Sequence, residues 1–216
     1  MQRQCVIFDM DGVLVDSGPW HLKAWQVFAN KYGLTFDEAH YFSTFGMRND
    51  EIIPKLFPKQ FNPKDFYALN EEKEAFYRDL IRGKIVPPAG LMAFVADLRQ
   101  QGIRMAVGSS GTRPNVLLVL EALRLTDLIS AYVCGDDVKR GKPAPDVFLL
   151  AAQKMGVAPQ FCVVIEDAVM GIKAAKTAGM QCVAITTTTT REHLHEADMI
   201  VDSFTELSAQ TVRDLL

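Results

Sequence analysis

The sequence predicts an α/β fold, a parallel sheet with helices on both faces and a helical segment inserted after the first strand. Three observations carry this. Short apolar runs recur at Cys5 to Phe8, Ile103 to Val107, Ala131 to Cys134, Cys162 to Ile165, Cys182 to Ile185 and Met199 to Val201, as strands buried on both faces require. Helical patterns stand between most of them, the alternation that builds parallel sheets. Residues 17 to 85 break that rhythm with helical stretches and little strand pattern.

The first run, Cys5 to Phe8, ends at Asp9-Met10-Asp11-Gly12. Gly18-Pro19 then opens a helix in which Trp20, Ala24, Phe28 and Tyr32 recur at i+4, and Gly33 closes it, proline suiting a helix start and glycine its end. Further helical stretches are expected around Asp50 to Leu56 and Asp65 to Ile81, after which Pro87-Pro88 and Gly90 return the chain to the sheet. This gives a core of residues 1–16 and 86–216 and a helical cap of residues 17–85, with hinges near Val13 to Gly18 and Gly83 to Pro88. In the core, helices are expected over Gly90 to Gln100, Pro114 to Leu123, Asp146 to Met155 and Ala168 to Ala178, with Gly102, Gly156 and Gly179 as stop signals beyond three of them. The tract Thr186 to Thr190 reads as a loop that caps a helix beginning near Arg191.

Composition narrows the function. The 216 residues are 49% apolar and 23% charged, ordinary values for a globular chain. A net charge of -3, with lysine and arginine scattered, offers no basic stripe for a nucleic-acid backbone. No stretch approaches the roughly 18 uncharged apolar residues of a membrane span. The first apolar run is cut short by Asp9, so no signal peptide is expected, and the chain reads as a cytoplasmic monomer. Cys5, Cys134, Cys162 and Cys182 match no CxxC spacing and are expected to be buried free thiols.

Four motifs carry chemistry. Asp9 and Asp11 stand two apart at the end of a strand and face similarly while the chain remains extended. Like charges that close are tolerated if a cation sits between them or one takes a proton, and magnesium suits such oxygen ligands. The same residue types also make turns. In Val107-Gly108-Ser109-Ser110-Gly111, hydroxyl and backbone N–H groups of Ser109 and Ser110 at a strand end could hold phosphate oxygens. Lys142 is pinned between Gly141 and Pro143 ahead of a helix. Glu166-Asp167 follows the Cys162 to Ile165 strand, as a second acidic pair or as a helix N-cap. In parallel sheets, groups at adjacent strand ends converge. The acidic pairs would then meet on one metal, and the lysine would offset the charge of a phosphate.

In this order the motifs resemble those of the haloacid-dehalogenase-like phosphotransferases, and their spacing is most similar to the β-phosphoglucomutase-like branch. The resemblance covers the whole chain, including the cap inserted after the first motif. It implies a Rossmann-like core in which Asp9 attacks phosphorus, Asp11 serves as general acid and base, and Ser109 and Lys142 bind the transferring phosphoryl group. Asp167 with Glu166 would hold magnesium, together with a carboxylate oxygen of Asp9 and the backbone carbonyl of Asp11. In the cap, His21 and Arg48 are similar to residues that such mutases use over the active site, and Lys73 aligns less securely. Read without the resemblance, these three are a solvated histidine, a helix-start salt bridge and a surface lysine. The loop Ser110-Gly111-Thr112-Arg113 lacks the further serine and lysine with which some mutases grip a second phosphate.

The expected function is therefore magnesium-dependent hydrolysis of a small phosphorylated metabolite, such as a sugar phosphate, with a β-phosphoglucomutase as the alternative. A dehalogenase would need neither an acid at Asp11 nor the Glu166-Asp167 pair. A phosphonate hydrolase would need a lysine where Arg48 stands. A catalytically silent binding protein would have no use for intact Asp9, Asp11, Lys142 and Asp167.

Overall fold

A computed structural model describes residues 4–44, 47, 49–58 and 61–216. Strand β1 (Cys5–Phe8) leads into four helices, α1 (Gly18–Lys31), α2 (Glu38–Ser43), α3 (Asn49–Leu56) and α4 (Phe66–Ile81). The chain then runs α5 (Leu91–Gln100), β2 (Arg104–Gly108), α6 (Arg113–Ala122), β3 (Ala131–Val133), α7 (Asp146–Met155) and β4 (Cys162–Glu166). It ends with α8 (Val169–Thr177), β5 (Gln181–Ile185), β6 (Met199–Val201) and α9 (Ala209–Leu215). Short α2 and the terminal α9 were not foreseen from the sequence. The helix expected near Arg191 is a single 3-10 turn, Arg191–Leu194, and Thr190 at its cap makes no side-chain cap bond.

Among the described residues the strands form one parallel sheet in the order β3-β2-β1-β4-β5-β6. The order reverses between β1 and β4, the switch point at which parallel sheets open a crevice beyond their carboxyl ends. Alternation along β1 sends side chains to two cores. Cys5 and Ile7 join Val147, Phe148 and Ala151 of α7 on one face. On the other, Phe8 meets Phe94 of α5 edge-on, with ring centroids 6.2 Å apart, and Phe204 at 6.4 Å.

The chain divides into two compact units, Met1–Asp16 with Ile85–Leu216, and Ser17–Lys84. The second has its own apolar core. The buried stripe of α1 is Ala24, Trp25, Phe28 and Ala29, centred on the expected Ala24–Phe28 line, with Trp25 stacked on Phe36 at 5.3 Å. On α4 the buried positions include Leu69, Lys73, Tyr77 and Ile81, one face of the helix at i+4 spacing. Among the described residues no helix is long and apolar enough to cross a membrane.

Candidate active site

The motifs singled out in the sheet unit lie at or after the carboxyl ends of strands, Glu166 as the last residue of β4 and Lys142 in the long loop between β3 and α7. β1 ends at Phe8, and the Asp9 amide still donates to Ile165 O of β4 at 2.9 Å. The chain then turns, with Val13 and Leu14 donating to Met10 O at 3.2 and 2.8 Å. Gly12, at φ 75°, completes the turn. Beyond the strand end the chain is no longer extended, so the two-apart spacing of Asp9 and Asp11 no longer sets their shared facing. Among the described residues the acidic cluster with metal-ligand spacing is Asp9, Glu166 and Asp167, whose ligand atoms lie within 4.8 Å of one another. The Asp11 carboxylate points toward the turn after β2, where a Cβ on Gly111 would lie 3.6 Å from Asp11 Oδ2 and 3.1 Å from Ser109 Oγ.

Lys142 binds this cluster together. Its Nζ is 2.9 Å from Asp9 Oδ1 and 2.7 Å from Glu166 Oε1, and it lies 4.8 Å from the ring centre of Phe148. Glu166 Oε2 accepts from the amides of Asp167 and Ala168, at 2.7 and 2.8 Å. A carboxylate is favoured there, at the head of α8, so Glu166 serves the helix start as well as the cluster. Gly171 on α8 leaves the space that the Glu166 carboxylate fills. Ser109 is fully buried, and its Oγ accepts from the Gly111 amide at 2.9 Å; Ser110 beside it is half-buried.

Asp167 accepts from Thr188 Oγ1 at 2.6 Å through Oδ2 and at 3.0 Å through its backbone carbonyl. Thr187 Oγ1 donates to Gly12 O. Neither threonine was singled out from the sequence, which assigned the tract to capping. The available signal was position, since the tract follows β5 as the other motifs follow their strands.

Charge in the site is unbalanced. Burial pushes the Asp9 carboxyl up to about 7, against the pull of Lys142 and with Glu166 and Asp11 adding repulsion. Burial raises Asp167 well above the carboxylate range too, with the charges of Glu166 and Asp9 adding to it. Burial would lower Lys142, but the Asp9 and Glu166 carboxylates outweigh it and hold the ammonium above the ordinary lysine value. Three buried carboxylates facing one ammonium have room for further positive charge, and an all-oxygen donor set of this kind fits a hard divalent cation such as magnesium.

In the helical unit His21 stacks on Tyr77, with centroids 3.8 Å apart and planes within 1°. Its Nδ1 accepts from Lys73 Nζ at 2.8 Å. Lys73 is 1% exposed, donates to Glu74 Oε1 at 2.8 Å and lies 5.1 Å from the ring centre of Trp25. The surface lysine and solvated histidine expected from residue type are thus corrected: Lys73 falls on the buried face of α4, and its charge is met by Glu74 and by aromatic faces. Arg48 lies outside the described residues. Arg113 pairs with Asp137 and lies over Tyr132.

The chain is similar to known proteins in sequence and in fold. Residues 6–185 match the haloacid dehalogenase-like hydrolase family. A fructose-1-phosphate phosphatase of Escherichia coli, YqaB, is 39% identical over 181 residues, 83% of this chain and 95% of that one. The β-phosphoglucomutase of Bacillus subtilis is 28% identical over 98% of this chain and 94% of its own. The crystal structure of CbbY from Rhodobacter sphaeroides in complex with phosphate superposes with a TM-score of 0.90 at 27% identity, covering 99% of this chain and 100% of that one. With the family matched over most of its length and its motifs gathered at one end of the sheet, this chain belongs to the haloacid dehalogenase-like hydrolases.

Proposed function

We propose that the chain is a magnesium-dependent phosphatase of a small phosphorylated sugar or polyol, working through a phosphorylated Asp9. The observation that carries this is the buried meeting of Asp9, Lys142, Glu166 and Asp167 beyond the β1/β4 switch point. Asp9, Glu166 and Asp167, with the backbone carbonyl of Asp11, would hold magnesium. When bound, the ion supplies the positive charge that lets a phosphate dianion approach three carboxylates.

The residues then divide the work. An Asp9 oxygen forms a bond to phosphorus as the ester P–O bond breaks, and Asp11 gives its proton to the departing alkoxide. Asp11 next takes a proton from water, whose oxygen attacks the aspartyl phosphate, releasing inorganic phosphate and restoring Asp9. One displacement becomes two easier ones, and one carboxyl acts as acid and then base. Lys142 and the Ser109–Ser110 turn hold the transferring oxygens, where charge neutralisation and positioning supply much of the rate. The helical unit is assigned the choice of substrate, through His21 and Arg48.

Phosphate release should be followed across a panel of sugar and polyol phosphates, with magnesium and with chelator. Release confined to magnesium is expected; undiminished turnover in excess chelator would refute the metal assignment. The mutase reading draws on the Bacillus subtilis relative, aligned over nearly the whole chain. Hydrolysis is favoured because the stretch Ser110 to Arg113 lacks the further serine and lysine, and Arg113, at the head of α6, is paired with Asp137. With β-glucose 1-phosphate and a trace of the 1,6-bisphosphate, free phosphate is the expected product. Glucose 6-phosphate with little phosphate would reverse the choice, and His21→Ala should then suppress that conversion more than aryl phosphate hydrolysis.

A further inference from the structure

The loop after β5 touches both loops that bear the acidic cluster. Thr187 Oγ1 donates to the carbonyl of Gly12, in the turn that follows Asp9. Thr188 Oγ1 lies 2.6 Å from Asp167 Oδ2 and 3.0 Å from Asp167 O. A hydroxyl has one proton, and the shorter contact, to a carboxylate oxygen, is the stronger bond. Asp167 is 2% exposed, so water is poorly placed to substitute for that donor. The same oxygen, Oδ2, sits where a Cβ on Gly12 would fall, and the Thr188 methyl is a near neighbour of that position. Gly12, Asp167 and Thr188 therefore interlock, and no larger residue than glycine fits at the first.

From this contact we infer that Thr188 is a positioning residue for the metal: by holding Asp167 Oδ2 it fixes the orientation of the carboxylate that, with Asp9 and Glu166, would hold the cation. The inference rests on the magnesium reading above. It gives the threonine tract a task unrelated to the helix cap read from sequence. A rotated Asp167 would lose its alignment with Asp9, since a ligating carboxylate is oriented by the hydrogen bonds it accepts. Partners of this kind typically govern metal affinity by 10- to 100-fold.

The test is calorimetric titration of the metal-stripped, full-length protein with magnesium, comparing wild type with Thr188→Val, Thr188→Ala and Thr188→Ser. The valine variant keeps the shape and removes the proton donor, and its magnesium Kd should rise about tenfold or more. Serine restores the donor, and its Kd should stay within about threefold of wild type. Aryl phosphate turnover by the valine variant should fall at low magnesium and recover as magnesium is raised, which loss of packing alone would not produce. Should valine fail to fold, as circular dichroism would reveal, the alanine and serine variants decide by the same Kd comparison. A folded valine or alanine variant with wild-type affinity, or a serine variant as weak as valine, would overturn the role of Thr188 and leave the magnesium reading intact. A wild-type chain with no affinity for magnesium would overturn both.

Discussion

Asp9 and Glu166 are held together by the Lys142 ammonium, at 2.9 and 2.7 Å, and without it they would be neighbouring buried carboxylates. Removing one partner of a buried ion pair leaves an uncompensated charge and costs about 3–5 kcal/mol. Lys142→Met should therefore lower the melting temperature markedly, and it should reduce kcat by about 100-fold or more through the lost phosphate contact. A variant of unchanged stability would show that the ammonium does not neutralise the cluster. Asp9→Asn differs in kind, because burial already makes the Asp9 carboxyl resist ionisation and the amide keeps its volume. That variant should be as stable as wild type in chelator while turnover vanishes, since an amide is no useful nucleophile. Near-normal turnover would exclude a phosphorylated Asp9. Lys73 shows the limit of residue type as a guide. Lysine is seldom buried unpaired, yet the 69, 73, 77, 81 spacing on α4 placed it among buried positions, with Glu74 beside it.

At the scale of elements, α8 illustrates a conflict between local preference and site geometry. Gly171 stands inside the helix, where alanine would be favoured by about 1 kcal/mol. A Cβ there, however, would collide with the Glu166 carboxylate, which receives the amides of Asp167 and Ala168 and the Lys142 ammonium. Gly171→Ala should therefore lower kcat/KM for an aryl phosphate at least tenfold without raising the melting temperature. Full activity with a higher melting temperature would show that Glu166 moves aside at no cost. The strands were legible as apolar runs, and α1, α5, α7 and α8 from spacing and glycine stops. Two elements escaped. The six residues of α2 are too few for a period to stand out, and the apolar residues of α9 find their face by docking, with the Ala209 amide donating to Asp97 of α5 at 2.7 Å.

For the whole molecule, each unit closes a core of its own, while the acidic cluster belongs to the sheet unit. A ligand that binds only the folded state stabilises it by RT ln(1 + [L]/Kd). Magnesium at ten times its Kd should contribute about 1.4 kcal/mol, a rise of roughly 3–6 °C in melting temperature for a chain of this size. Chelator should remove the rise, and Asp167→Ala should lack it. A melting temperature insensitive to magnesium in the wild type would remove the cation from the cluster, whatever the activity assays show.

The strand positions, the helical interruption and the acidic pairs after β1 and β4 were readable from the sequence, because each is written in a short stretch of chain as an apolar run, a helical spacing or an adjacent pair of charges. Parallel pairing then obliges the ends of neighbouring strands to converge. Tertiary structure alone decided which groups meet there. The carboxylates grouped at metal-ligand spacing among the described residues are those of Asp9, Glu166 and Asp167, Glu166 takes Lys142 as its partner across 24 residues, and Thr188 reaches Asp167 across 21. Threonine, glycine and lysine are common residues with no local mark of such roles. Only the parallel order of the sheet, which gathers the loops after β1, β3, β4 and β5 at one end, brings them within hydrogen-bonding distance.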